Sequence, residues 1–402
     1  MVHHTVRLSL SRVLVAMAFV SAIVFFLHRY LWARLVRDPA WGAPWGRTLG
    51  IAIVALAVLV PVAFVAMRAL PRALNAPLAW VAYGWLGLVL YLFLFTALSD
   101  AGRGVAALAG LLPTDPERRL LLARVIASVV AGGASLVGVA GVVNVARGFD
   151  VKRVRVPLAK LPKSASGYKI VQLTDIHIGP TIGRAFLESV VQEANALDAD
   201  LIVITGDLVD GTVHQLGPLV EPLRDLCARD GVFFVTGNHE YYSGADEWIA
   251  HLKTLGVRVL RNERVAIRDA FELAGVDDHS AARMLPHHGQ DVEGALRGRD
   301  PSRAVVLLAH QPKAVSEARA HGVDLQLSGH VHGGQVVPFN WIALLDQPFL
   351  RGLHRVSDTW LYVSEGTGYW GPPMRVGSSA EITHVELLAS DDPEQASVAS
   401  AG

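Results

Sequence analysis

Ile170–Gly179 reads IVQLTDIHIG and continues an apolar run, Tyr168–Leu173. A short, mostly apolar run of this kind fits a buried strand. Directly after it come a carboxylate, Asp175, and an imidazole, His177, and then a glycine. Residues i and i+2 on an extended segment point the same way, so the pair is expected to converge on one cation. Folds that alternate strands and helices place their ligands at the carboxyl ends of the strands.

The same order recurs downstream. Leu201–Ile204 leads into Gly206-Asp207, Val232–Val235 into Gly237-Asn238-His239-Glu240, Val305–Leu308 into His310, and Leu325–Leu327 into Gly329-His330-Val331-His332. Further strands are expected at Phe271–Ala274, Leu361–Val363 and Ile382–Leu387. Helical periodicity falls between several of them, at Arg184–Leu197, Val213–Ala228 and Lys313–Ala320. This alternation predicts an α/β domain whose helices cover a sheet. A lone Asp-x-His is weak, but all five motifs, each behind an apolar strand, point to a metal centre. Carboxylate, imidazole and amide oxygen without thiolate suit Mn, Fe(II) or Zn. Two divalent cations held this way favour an anionic phosphoryl group and activate water to hydroxide near neutral pH.

Upstream the composition changes. Val13–Leu27, Leu49–Met67, Leu78–Leu98 and Leu120–Val145 are apolar, and Trp32, Trp41, Trp45, Trp80 and Trp85 cluster near their ends. A helix needs roughly 20 apolar residues to cross the hydrocarbon core, and aromatic residues favour its interfaces. Four transmembrane helices are therefore expected, although the short first stretch also fits an uncleaved signal-like anchor. The expected division is a membrane domain over 1–147, a basic linker over 148–167, a catalytic domain over 168–388 and a disordered tail over 389–402.

Mean hydropathy is +0.37, and the first third of the chain accounts for the excess. Lys+Arg and Asp+Glu both number 36, so no net basic field draws in nucleic acid, which is not an expected partner. Cys227 is the only cysteine, which excludes an intrachain disulfide and a cysteine-rich metal site. Membrane lipids are expected partners. A lipid-linked substrate is attractive, because a tether raises effective concentration at the bilayer.

The motif series D-x-H, G-D-x-x-D, G-N-H-[DE], H and G-H-x-H resembles the calcineurin-like metallophosphoesterase superfamily. Ile170–Gly179 and Leu325–Gln335 (LQLSGHVHGGQ) are most similar to its membrane-associated bacterial phosphodiesterase branch, and Gly366–Arg375 (GTGYWGPPMR) to a four-span vertebrate member. The resemblance implies an αββα four-layer sandwich and a two-metal phosphoesterase. It implies that Asp175, His177 and His332 hold one metal, that Asn238, His310 and His330 hold the other, and that Asp207 bridges them. It further implies that His239 meets the phosphoryl group and protonates the leaving oxygen or stabilises the transition state. Glu240 would orient His239, and Asp210 would support the site from behind. Where many relatives carry Arg, this chain has Glu365, so Arg375 becomes the candidate phosphate clamp. Asp277-Asp278 receives no catalytic role, and His287-His288 is expected to be solvated. Tyr241-Tyr242 lines the substrate entrance or packs.

Two other readings stand beside this one. A branch similar to this chain cleaves the pyrophosphate of UDP-2,3-diacylglucosamine in lipid A synthesis, which requires a cytoplasmic site. Alternatively, the spans form a receptor and the domain is a regulatory metal-binding module. The loops holding Arg29, Arg34, Arg37, Arg47, Arg103, Arg118 and Arg119 outweigh the side holding Arg7, Arg12, Arg68 and Arg72. By the positive-inside rule this places the catalytic domain outside. The basic residues from Arg147 to Lys163 pull the other way. Arg118-Arg119-Leu120 resembles an internal twin-arginine export signal, which again favours the outside.

Overall fold

The computed structural model describes residues 10–390 and 392–400. The chain divides into two compact units, Met1–Ala140 and Gly141–Gly402.

In the first unit, helices α1 (Leu10–Trp32), α2 (Trp45–Ala69), α3 (Arg72–Leu108) and α4 (Pro116–Ala146) follow one another. All four are long and apolar enough to cross a membrane. Many of their exposed side chains are large and apolar, among them Phe19, Ile51, Val54, Val81, Val129 and Leu136, as suits a lipid-facing surface. The third helix outruns the expected stretch and ends at Leu108, not Leu98. Asp100, in that extension, accepts from Tyr30 Oη at 2.9 Å and from Arg34 Nε at 2.9 Å. The extra charge is thus paired rather than left bare in an apolar setting.

The second unit, which α4 enters at Gly141, contains two sheets. Its strands are β1 (Phe149–Pro157), β2 (Tyr168–Leu173), β3 (Leu201–Ile204), β4 (Val232–Phe234), β5 (Arg258–Val259), β6 (Glu263–Ile267), β7 (Phe271–Gly275), β8 (Ala304–Leu308), β9 (Leu325–Ser328), β10 (Gly352–Val356), β11 (Thr359–Val363), β12 (Ala380–Leu388) and β13 (Ser397–Ser400). One sheet runs β13-β1-β12-β2-β3-β4-β5 and the other β10-β11-β9-β8-β7-β6. In the first, β2 to β5 are parallel. In the second, β11, β9, β8 and β7 are parallel.

Alternation of side chains across each strand sorts the core into layers. Ile170, Leu201, Val203 and Phe233 of the first sheet meet Phe271, Leu273, Val306, Leu308 and Leu327 of the second. Their neighbours Val171, Leu173, Ile202 and Ile204 turn the other way, onto helices α5 (Arg184–Ala196), α6 (Val213–Val220) and α8 (Ala245–Thr254). Helix α7 (Asn238–Ser243) precedes α8. On the far face of the second sheet, Ala274, Val305 and Leu307 pack on α9 (Val292–Leu296) and α10 (Val315–Ala320). The result is helices, sheet, sheet, helices: the four-layer αββα arrangement.

Two segments differ from expectation. The basic linker contains β1, paired in parallel with β12 from Phe149↔Ala380 to Pro157↔Leu388. Val154, Val156 and Leu158 are buried while Arg153 and Arg155 face out, so a strand's alternation lay beneath the charges. The tail is not wholly irregular either, because β13 pairs antiparallel with β1 over Lys152–Arg155. Backbone hydrogen bonds on a sheet edge order a segment whose apolar side chains are mostly small.

Candidate metal centre

Loops at the carboxyl ends of β2, β3 and β4 in one sheet, and of β8 and β9 in the other, converge on one place. Ligand atoms of Asp175, His177 and His332 all lie within 4.8 Å of one another, as do those of Asp207, His310 and His330. Asp175, His177, Asp207, Asn238, His310 and His332 are buried.

The local backbone explains how the chains turn inward. Asp175, His177, Asp207, His330 and His332 all have φ between 51° and 75°. This left-handed region is uncommon for residues other than glycine, and such outliers gather at functional sites. The expected i, i+2 convergence on extended backbone is therefore corrected: these pairs meet through left-handed turns past the strand ends. Gly206 and Gly237 let two of the turns touch, since a Cβ on Gly206 would lie 2.5 Å from Gly237 N.

Donor atoms in the site face one another without partners. His177 Nε2 lies 3.0 Å from His332 Nε2, and Asp175 Oδ1 lies 3.5 Å from His332 Nε2. Two imidazole nitrogens facing each other share one proton at most, or both give lone pairs to a cation. Asn238 Oδ1 and His330 Nδ1 are buried without a hydrogen-bond partner, which is costly unless something binds there, and His310 Nε2 meets only the Asp207 carboxylate. Asp207 Oδ2 lies among the imidazoles, at 3.1 Å from His310 Nε2, 3.9 Å from His239 Nε2 and 4.0 Å from His177 Nε2. The donor set therefore fits divalent metal.

Electrostatics agree with that fit at His330 and His332, whereas at His310 burial is outweighed by the Asp207 carboxylate, which raises the imidazole well above its ordinary value. Burial alone would raise the Asp207 pKa, but the His310 and His239 charges outweigh it and hold the carboxylate well below its usual range. Burial, then the His310 charge, pushes His330 down to about 4, and burial holds His332 well below its ordinary value. Both imidazoles are thus neutral near pH 7, the form that ligates metal. His239 differs. Burial would lower it, but Asp207 and the bond to Asp210 push it up to about 9.

The supporting residues change roles. Glu240 does not touch His239. It is fully buried and accepts from the backbone N–H groups of Gly237 (2.7 Å), Leu208 (2.8 Å) and Asp207 (3.0 Å). Asp210 does the orienting, 2.5 Å from His239 Nδ1 and 3.2 Å from His177 Nδ1. Arg375 is no clamp and no surface residue. It is 1% exposed and donates to the carbonyls of Glu365 (2.7 Å) and Gly368 (2.6 Å), among others. Glu365 is buried as well and accepts from Ser379 N at 3.1 Å. His288, expected to be solvated, is buried between Tyr241 Oη and Asp246, each at 3.1 Å, while His287 is exposed. Asp277 forms an ion pair with Arg261 at 2.7 Å.

Tyr242 and Trp370 edge the site, their rings 5.2 and 5.5 Å from that of His239. Trp370 was missed, although its motif had carried part of the resemblance. Thr174 was missed too, and its Oγ1 donates to Asp175 Oδ2 at 2.7 Å.

Residues 168–334 match the calcineurin-like phosphoesterase family. Over 392 residues the chain is 37% identical to a transmembrane protein with metallophosphoesterase domain from Danio rerio, covering 92% of this chain and 88% of that protein. It is 43% identical over 304 residues to the Bos taurus protein of the same name, covering 72% of this chain and 66% of that one. An uncharacterized metallophosphoesterase of Helicobacter pylori is 40% identical over 240 residues, covering 59% of this chain and 64% of that protein. The chain thus spans just under two thirds of those last two relatives. A solved dimetal phosphatase from Danio rerio is similar with a TM-score of 0.34 at 14% identity, covering 56% of this chain and 93% of that one.

Proposed function

The chain belongs to the calcineurin-like metallophosphoesterase family, and on that premise we propose that it cleaves a phosphodiester or phosphoanhydride at a two-metal centre beside a membrane. Metal-dependent phosphoester hydrolysis is the activity of the family, and four membrane-compatible helices precede the domain. The two metals, the residue roles and the lipid-linked substrate are the proposal.

One observation supports it above the others. Two separate Asp/His sets, with Asp207 Oδ2 close to imidazoles of both, leave donor atoms of Asn238 and His330 buried without partners. Asp175, His177 and His332 would hold one cation, Asn238, His310 and His330 the other, and Asp207 would bridge. Bound there, the cations activate water and neutralise charge on the phosphoryl group. His239, held by Asp210 and protonated near neutral pH, stands where it can donate a proton to the leaving oxygen or a hydrogen bond to the phosphoryl group. Glu240 fixes the Asp207 and Asn238 loops together through three N–H bonds. Tyr242 and Trp370 narrow the entrance.

For the finer setting, we place the domain on the extracytoplasmic side by the arginine balance of the loops. A lipid-linked substrate follows from the anchor, which confines the site to the bilayer surface. Turnover of a soluble chromogenic phosphodiester by the full chain, stripped of metal and then resupplied, tests the reading. No turnover with Mn²⁺, Fe²⁺ or Zn²⁺ would favour a binding module.

A further inference from the structure

Beyond α4, nine large apolar side chains of the second unit are exposed among the described residues. Six of them fall between Val337 and Leu345, and two more, Tyr242 and Trp370, flank His239. Trp341 is 67% exposed and Leu345 is 87% exposed. Scattered surface leucines are ordinary, but a concentration of this kind marks an interaction surface.

The segment is anchored, so its exposure is not the result of loose packing. Helix α11 (Phe339–Ala343) turns Ala343 inward, and Ala343, Phe349 and Leu350 pack on Val331, Leu361 and Val363. Trp341, Ile342, Leu344 and Leu345 are left outside. At its root, Gln335 donates to Trp370 O at 2.8 Å and accepts from Trp370 N at 2.9 Å, which ties the segment to the rim of the metal centre.

The same root adjoins the end of the fourth span. Val337 N donates to Val376 O at 3.0 Å. On its other side, the Met374–Ser378 stretch is held by α4: Arg375 N donates to Gly141 O at 3.1 Å, and Asn144 Nδ2 donates to Arg375 O and Ser378 O at 3.1 and 2.9 Å. Gly141 sits so close that a Cβ there would lie 2.8 Å from Val376 Cγ2. Only Arg147 and Gly148 separate α4 from β1. An apolar surface whose root is bonded to a stretch held by the last turns of a membrane span is placed to meet lipid without recruiting a partner, and tryptophan at its edge suits the interface.

We propose that Val337–Leu345 inserts into the lipid interface, so that the metal centre draws its substrate sideways from the bilayer: an amphiphile with a phosphodiester or phosphoanhydride head and apolar tails. The substrate part rests on the phosphoesterase reading, whereas the insertion part does not.

The test uses the full chain in phosphatidylcholine vesicles. Cys227, the native exposed cysteine, carries a polarity-sensitive fluorophore in one sample. In the other, Cys227→Ser/Leu345→Cys carries it. The Leu345→Cys label should shift to the blue, be quenched by bromine on the lipid chains and resist aqueous iodide, while the Cys227 label does the reverse. Iodide quenching at both positions overturns the proposal. So does protection from both quenchers with crosslinking between two chains, which would make the surface a contact between copies. Trp341→Glu/Leu345→Glu should also lower turnover of a vesicle-borne phosphodiester relative to a soluble one by about tenfold or more, since the tether's concentration advantage is lost. An unchanged ratio counts against sideways entry. If the wild type cleaves neither substrate, the phosphoesterase reading fails while the quenching result still decides insertion.

Discussion

His177 and His332, 155 residues apart in sequence, bring their Nε2 atoms within 3.0 Å of each other. One follows β2 of the first sheet and the other follows β9 of the second, so the pair forms only where both sheets end together. The same junction brings His239 beside Asp207, with Asp210 behind it. This sets apart the residues that would hold metal from the one proposed to act on the substrate.

His239→Ala should keep its metal but lose about 10²–10⁴-fold in kcat, the usual span for a proton donor. The loss should shrink for leaving groups such as nitrophenolate that need no proton. Asp210→Asn should reproduce part of the effect, about 10–100-fold, by releasing the imidazole. Metal analysis beside steady-state kinetics checks both. A metal-free His239→Ala variant would make His239 a ligand.

Glu240 has a structural part. Its carboxylate accepts three backbone N–H bonds, and an amide in its place would turn an NH₂ group toward one of those donors. Glu240→Gln should therefore cost about 1–3 kcal/mol of stability, the cost of a buried polar group left unpaired. Chemical unfolding measures it. A change too small to resolve would show that the loop holds without these bonds.

Asp230 supplies a pH dependence away from the metal centre. Burial would raise its pKa, but Tyr168 Oη at 2.7 Å and Arg268 at 2.5 Å hold it below the usual value. A carboxylate whose pKa falls on folding stabilises the fold above its unfolded value, near 4, and loses that contribution as pH drops through the folded value. Asp230→Asn should lower Tm at pH 7, with the difference from wild type narrowing below about pH 4. An equal difference at pH 7 and pH 3 would contradict the pairing.

Much of the fold was legible in the sequence because buried strands are written as apolar runs. Tyr168–Leu173, Leu201–Ile204 and the run ending at Val363 all fall where expected. What stayed hidden depends on partners distant in sequence. β1 was masked by Lys152, Arg153 and Arg155, and β13 owes its order to backbone pairing with β1. The ligand residues stood out by type and order, yet their left-handed backbone did not. The place of Arg375 was illegible because the carbonyls that bury it belong to loops that only the fold assembles.

The side of the membrane follows from a reporter fused after Gly402, beyond β13 so that the edge strand stays intact. Alkaline phosphatase activity without green fluorescence would support an extracytoplasmic domain. Fluorescence without phosphatase activity would place the site inside and bring forward the nucleotide-linked lipid precursor.

The most direct test of the two-metal claim is to titrate divalent metal into the stripped full chain, and into Asp207→Asn, while counting bound ions and following a chromogenic phosphodiester. The wild type should bind two ions per chain, with turnover appearing as the second site fills. The variant should lose tight occupancy and at least about two orders of magnitude in kcat, since Asp207 faces both ligand sets. Two tightly bound ions and near-normal turnover in Asp207→Asn, or full turnover by the stripped wild type, would contradict it.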